Sequence, residues 1–208
     1  MRSFPCLSLV LLFVGACSIA PSTGVIDAAA QTDASPVDAM SDADASGNDA
    51  PAEAFAITSI EFAEGDMFAK ELTCDAAPAT MVSPPLKWTA GPSGTQSYAV
   101  VFNDTSISFL HGATYDIPMT TFALPKGVQR AYEPLDPSGA RQTKAYDGSY
   151  GYAGPCPPTG EHVYEFVLYA LDVTRLPDVT QDTTTKAVEA EIRKHALKAV
   201  RLTGKYKR

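Results

Sequence analysis

The stretch Gly151–Leu171, GYAGPCPPTGEHVYEFVLYAL, decides how the rest of the chain is read. Its second half, His162–Leu171, is dense in β-branched and aromatic residues and reads as the strongest strand of the chain. Its first half crowds glycines and prolines around Cys156, the signature of a rigid turn. Such a turn ahead of a strand sets the position of the side chain that follows, here His162. Successive side chains of a strand take opposite faces. His162, Tyr164, Phe166 and Leu168 therefore share one face, and Val163, Glu165 and Val167 share the other. A histidine and a tyrosine at a strand mouth, above an apolar floor, offer hydrogen-bond donors that suit an oxyanion such as phosphate or carboxylate. A strand-end histidine bonded only to a backbone carbonyl is the plainer alternative, and this segment alone leaves both open.

Outward from this stretch the local signals are mostly β. Ile57–Phe62 alternates and stops before Gly65. Gln96–Asn103 is a short apolar run of β-formers, and His111–Ile117 ends at Pro118. Leu202–Tyr206 reads as a last short strand. One helix is expected, from Thr185 to about Val200, with an apolar stripe at Val188, Ile192, Ala196 and Ala199. Thr183–Thr185 supply its N-terminal cap. His195 falls on the apolar side of that helix and reads as a structural core histidine. Trp88 and Leu86 also read as core, after a bend at Ser83–Pro85. Strands spread along the chain with one late helix predict a mainly β, largely antiparallel sandwich flanked by a C-terminal helix.

The 208 residues divide into three parts. Residues 1–17 carry Arg2 and then an apolar run, Leu7–Ala16, shorter than the ~20 residues a spanning helix needs. The run reads as a secretory signal. Val14-Gly15-Ala16-Cys17 resembles a bacterial lipobox, in which the cysteine is acylated. Ser18 follows it where an inner-membrane retention signal would place an aspartate. The expectation is a lipid anchor at Cys17 and a place in the bacterial cell envelope, at the outer membrane. Residues 18–54 are almost all Ala, Asp, Ser and Pro, with six Asp, one Glu, no aromatic residue and no Lys or Arg. Such a segment buries too little apolar surface to offset its chain entropy and reads as a disordered tether. It supplies −7 of the formal net charge of −8. Residues 55–208 then form one domain with 15 basic and 17 acidic residues. With charge this balanced and no basic stripe, nucleic acid is not an expected partner.

Two cysteines remain in the domain, Cys74 and Cys156. In an exported protein they invite a disulfide. It would close a loop of about 80 residues, worth about 4 kcal/mol in the chain-entropy account. Two unpaired buried thiols are the alternative. Neither cysteine has a metal-ligand spacing, and no metal or cofactor is expected. A second polar element is Phe102–Pro118, FNDTSISFLHGATYDIP, in which Asp104 ends one strand and His111 opens the next. An aspartate beside that histidine would orient its tautomer and raise its pKa. A hairpin in which Asp104 bonds its own turn amides is the other reading.

Taken together, these residues resemble the phosphatidylethanolamine-binding protein family, in its bacterial, Raf-kinase-inhibitor-like branch. The similarity is carried in order by Thr73-Cys74-Asp75, Ser83–Trp88, Ser97–Val101 with Asp104, and His111 leading to Asp116-Ile117-Pro118. Gly154–Gly160 with His162 and Tyr164 follows, then Tyr169–Asp172, His195–Leu197 and Leu202–Tyr206. The resemblance implies a Greek-key sandwich of two antiparallel sheets. It also implies a small anion pocket at one end, built here from Asp104, His111, His162 and Tyr164, with the turn around Pro155 as its wall. The pattern departs from the family in three places. Thr105–Ser108 lack the proline and second aspartate expected after Asp104. Gly112 stands where a tryptophan follows the first histidine, and Val163 where an arginine follows the second.

Three functions follow as expectations. The first is a tethered binding module for a small anionic ligand, a phosphate, a carboxylate or a phospholipid headgroup, acting also as a regulator or inhibitor of a protein partner. The second is a hydrolase using Asp104, His111 and His162, disfavoured because no nucleophile sits in a recognised context such as GxSxG. The third is a surface lipoprotein with a vestigial pocket.

Overall fold

A computed structural model describes residues 54–76 and 81–208. The expected signal segment, the expected lipidation at Cys17 and nearly all of the expected 18–54 tether lie outside these residues. Nine strands and one α-helix follow in chain order. They are β1 (Ile57–Thr58), β2 (Asp66–Met67), a 3-10 turn at Lys70–Leu72, β3 (Leu86–Trp88), β4 (Ser97–Asp104) and β5 (Phe109–Pro118). After these come β6 (Ala123–Leu124), β7 (Arg141–Gln142), β8 (Glu161–Leu171), α1 (Thr185–Lys194) and β9 (Ala196–Lys207). A small sheet has the order β1-β3-β6 and a large one the order β2-β9-β8-β4-β5-β7. All pairings are antiparallel except that of β2 with β9. The fold is thus the expected mainly β sandwich with a C-terminal helix.

Strand β8 is paired on both edges, to β4 and to β9, and its alternation builds two cores. Tyr164, Phe166, Leu168 and Ala170, with Phe102 of β4, face the small sheet and share a core with its Leu86 and Trp88. The Phe102 and Phe166 rings stack there at 4.4 Å. Val167, Tyr169 and Leu171 face the other way and pack under α1, against Val188 and Ile192. With both faces covered, β4 and β8 read as near-continuous apolar runs.

The helix begins where expected. Thr184 is its N-cap, and its hydroxyl accepts from the Ala187 N–H. It ends earlier than the periodicity predicted, at Lys194, because Ala196 already belongs to β9. That strand pairs with β8 from Ala196 to Lys207, and each ladder bond satisfies a backbone group that a helix extension would have used. Ala199 lies exposed on β9 and does not extend the helix stripe. His195 is corrected with it. It is the C-cap residue, partly exposed, with Nδ1 2.9 Å from Asp172 and Nε2 3.4 Å from Glu191. It ties the helix end to the end of β8 and is not a core residue. The Ile57–Phe62 strand is likewise shorter than predicted and covers only β1.

The turn before β8 is clamped onto the 72–74 segment. Cys74 and Cys156 form a disulfide with their Cα atoms 5.4 Å apart. Beside it the Cys74 N–H donates to Pro155 O at 3.0 Å, and the Tyr152 hydroxyl donates to Leu72 O at 2.7 Å. Gly154 is required by this approach, since a Cβ there would lie 2.2 Å from Leu72 O. Pro155 is buried, and its only backbone polar group, the carbonyl, is the one Cys74 uses.

On the α1 side, Arg141 forms a buried pair with Asp116 and donates to Val179 O at 2.7 Å. The Leu176 N–H donates to the second Asp116 oxygen at 2.9 Å. Arg141→Met removes one partner of a buried ion pair and should cost about 3–5 kcal/mol in chemical denaturation. Arg141→Met combined with Asp116→Leu should recover most of that loss. An equal loss in the single and double variants would refute this account. Gly154→Ala should cost about 1–3 kcal/mol, as overpacking does, with backbone amide shifts centred on residues 72–74. An unchanged unfolding midpoint would show that the close approach is not enforced.

Candidate functional site

Strand β4 runs into one end of the large sheet, and β5 and β8 start from that end. The register sets Asp104 opposite Phe109 on one side and Tyr164 on the other. The last residue of β4 thus lies beside the first residues of β5 and β8, and the sequence elements carrying Asp104, His111, His162 and Tyr164 converge.

A cleft of about 260 Å³ opens here, lined by Asp104, Ile107, Phe109, His111, Tyr146, Cys156 and Tyr164. Asp104 is buried and uses both its oxygens. Oδ1 accepts from the Ser106 N–H at 3.0 Å, as in a plain turn, and Oδ2 lies 2.6 Å from His162 Nδ1. The aspartate therefore orients His162 and not His111, contrary to the pairing expected from sequence. His162 reaches the cleft only through Asp104. Pro155 is also not in the lining, because it lies buried behind Cys156.

His111 is buried, and its Nδ1 donates to Ala153 O at 2.9 Å. A carbonyl only accepts, so Nδ1 carries the proton of the neutral ring and Nε2 is left as the second polar atom. Burial holds the ring below its ordinary value of 6.5, against opposing pulls from the Ala153 carbonyl and the Asp104 charge. The upward shift expected for His111 is thus reversed, since desolvation outweighs a carboxylate that is not in contact.

Tyr164 is fully buried, and its hydroxyl makes no hydrogen bond of full geometry among the described residues, although Asp104 and the Cys156 backbone are near enough to act on it. Burial first, and then the charge and proximity of Asp104, push the phenol well above its ordinary value, so the hydroxyl keeps its proton. An unsatisfied buried hydroxyl in a cleft wall calls for an explanation. The Tyr146 hydroxyl donates to Gly154 O at 3.1 Å, and its ring packs edge-on against His111. Phe109 approaches His111 in the same way from the hairpin side. Ile107, Phe109 and Tyr146 are exposed and form an apolar rim above a polar floor.

These three rim residues were missed by sequence reasoning. Ile107 and Phe109 carried a usable signal, being apolar residues in a short hairpin between the two polar elements. Tyr146 carried none, because it arrives from a separate turn. No group of three or more His, Cys, Asp or Glu able to hold a metal occurs among the described residues. Ser106 engages its hydroxyl oxygen with the Val163 N–H at 2.9 Å.

Residues 58–207 match the phosphatidylethanolamine-binding protein family. A UPF0098 protein of Aquifex aeolicus is 32% identical over 157 residues, covering 73% of this chain and 88% of that protein. YbcL of Escherichia coli is 32% identical over 137 residues, covering 61% and 73%. The crystal structure of Escherichia coli YbcL, described as a new member of the mammalian PEBP family, superposes with a TM-score of 0.66 at 28% identity. It covers 74% of this chain and 98% of that one. The Chlamydia trachomatis homologue CT736, described as a putative PEBP homologue, gives 0.61 at 26% identity, covering 74% and 97%. The chain belongs to the phosphatidylethanolamine-binding protein family.

Proposed function

We propose that the chain is a binding protein for small oxyanions, presented on a tether at the bacterial envelope. The observation that carries the reading is the Tyr164 hydroxyl, a buried group in the wall of the cleft that makes no full hydrogen bond among the described residues. His111 Nε2 is the second group available to a ligand, and the Asp104–His162 pair fixes the cleft floor. A carboxylate or phosphate accepts from the tyrosine directly. It accepts from His111 only when Nε2 is protonated, so anion binding and His111 protonation are coupled. The signal, Cys17 acylation and outer-membrane placement belong to the same proposal and rest on the sequence of residues 1–54. So does a role as regulator or inhibitor of a partner protein, for which the exposed rim of Ile107, Phe109 and Tyr146 offers contact area.

The test is an NMR titration of the full chain with sulfate, acetate and phosphoethanolamine, following the imidazole signals of His111. His195, at the far end of β8, serves as the control. Saturable shifts at His111 and none at His195 are expected, with binding weakened about tenfold in Tyr164→Phe, as for one lost hydrogen bond to a charged group. No saturable shift at tens of millimolar would overturn the reading.

The pH dependence has a defined sign. The folded-state value of His111 lies below 6.5, so the stability gained from its neutral form is present above that pH and lost as pH falls through the folded value. Sulfate, whose own charge is constant there, should bind more tightly as pH falls over the same range and should raise the His111 midpoint. A midpoint indifferent to sulfate would show that His111 is not a ligand group.

A further inference from the structure

No Lys or Arg lines the cleft, and its floor holds the Asp104 carboxylate. A site for a doubly charged anion requires a cation within reach. We infer that Arg208 is that cation, a specificity-determining residue on the cleft rim that favours phosphate-type dianions over carboxylates. The inference rests on the oxyanion reading of the cleft.

Arg208 lies just beyond β9. Its N–H donates to Gly160 O and its carbonyl accepts from the Gly160 N–H, both at 3.1 Å, which fixes the backbone beside the entry to β8. The guanidinium then lies over the disulfide. Nη1 is 3.5 Å from Cys156 Sγ, and Cys156 is part of the cleft lining. Nη2 pairs with Asp75 Oδ1 at 2.9 Å, and Asp75 is brought there by its neighbour Cys74.

These contacts leave the guanidinium under-used. It has five N–H donors, and sulfur is a weak acceptor. Asp75 is itself shared, because its other oxygen accepts from the Tyr206 hydroxyl at 2.7 Å. The arginine side chain is 46% exposed, so a ligand can approach its unbonded N–H groups from solvent. Its charge already acts at the mouth. The Tyr146 phenol is raised by burial and by Asp147, and both Arg130 and Arg208 pull it back. Arg130 is paired with Asp147 and Ser149, whereas Arg208 is the cation that touches a residue of the cleft lining, Cys156. An arginine fork fits carboxylate and phosphate oxygens alike, and the larger charge of a phosphate dianion gains more from it.

The experiment measures binding of inorganic phosphate, phosphoethanolamine and acetate to the full chain at low ionic strength and pH 7.5. Inorganic phosphate and phosphoethanolamine distinguish a free phosphate from a phosphate carried on a headgroup. Arg208→Gln should weaken both by about tenfold and acetate by less, while Arg208→Lys should retain part of the affinity. Asp75→Asn keeps an acceptor for Tyr206 but releases the guanidinium, and it should tighten phosphate binding. Phosphate affinity unchanged in both Arg208→Gln and Asp75→Asn would overturn the assignment while leaving the oxyanion reading intact. A parent chain that binds none of the three probes would overturn both.

Discussion

Strand β8 is hydrogen-bonded on both edges for nearly its whole length, and most of the molecule follows from that. A strand paired twice has no freedom of register, and a one-residue slip would move every side chain to the wrong face. Tyr164, Phe166 and Leu168 are thereby committed to the inter-sheet core, and Val167, Tyr169 and Leu171 to the helix side. The same commitment fixes the first residues of the strand. Tyr164 cannot turn its hydroxyl toward solvent, because its ring is part of the aromatic cluster with Phe68, Phe102 and His111. The candidate site is the end of the core, where the packing that orders the aromatic rings leaves polar tips at a cleft wall.

The electrostatics of that end separate into two pairs of groups with different roles. Asp104 is satisfied at both oxygens, one orienting His162 through Nδ1 and the other holding the hairpin through the Ser106 N–H. His111 and Tyr164 are the unsatisfied groups. One is a ring kept neutral by burial with a single bonded nitrogen, and the other is a protonated phenol without a full hydrogen bond. Four polar residues gathered at one place thus divide into a rigid support and two groups that face the cleft.

What the sequence made legible was what depends on local pattern. The alternation of His162–Leu171, the apolar run of β4, the Thr184 cap and the core positions of Leu86 and Trp88 are all properties of a few adjacent residues. The disulfide was legible because the domain holds only two cysteines. The end of α1 was not, because Ala196 and Ala199 suit a helical stripe and an exposed strand equally well, and only pairing with β8 decides between them. The same tertiary choice carries His195 from the core to a helix cap. At the site, the identity of Asp104's partner was illegible, because both histidines follow it at strand starts and the register of β4 against β8 makes the selection. Tyr146 reaches the cleft from a separate turn, and no spacing in the sequence links it to His111.

The three departures from the family pattern are not equivalent once their positions are known. Val163 lies on the face of β8 opposite Tyr164, so an apolar residue there removes nothing from the cleft wall. Its backbone is instead stitched to the hairpin. The Val163 carbonyl accepts from the Thr105 N–H and hydroxyl at 2.9 and 3.0 Å, and its N–H donates to Ser106. Thr105 and Ser106, which stand where the pattern has a proline and an aspartate, thus hold Asp104 in place by hydrogen bonds. Gly112 is coupled to a second glycine. A Cβ at Gly112 would lie 3.0 Å from Gly151 O, while Gly151, at φ +82°, has its own Cβ direction filled by the Gln142 side chain. The 151 turn has therefore closed into space a bulky residue at 112 would occupy, and restoring such a residue alone would push against backbone. The residues at 105–106 and at 112 are thus each tied to a specific contact, hydrogen bonds to Val163 in the first case and the close approach of the 151 turn in the second.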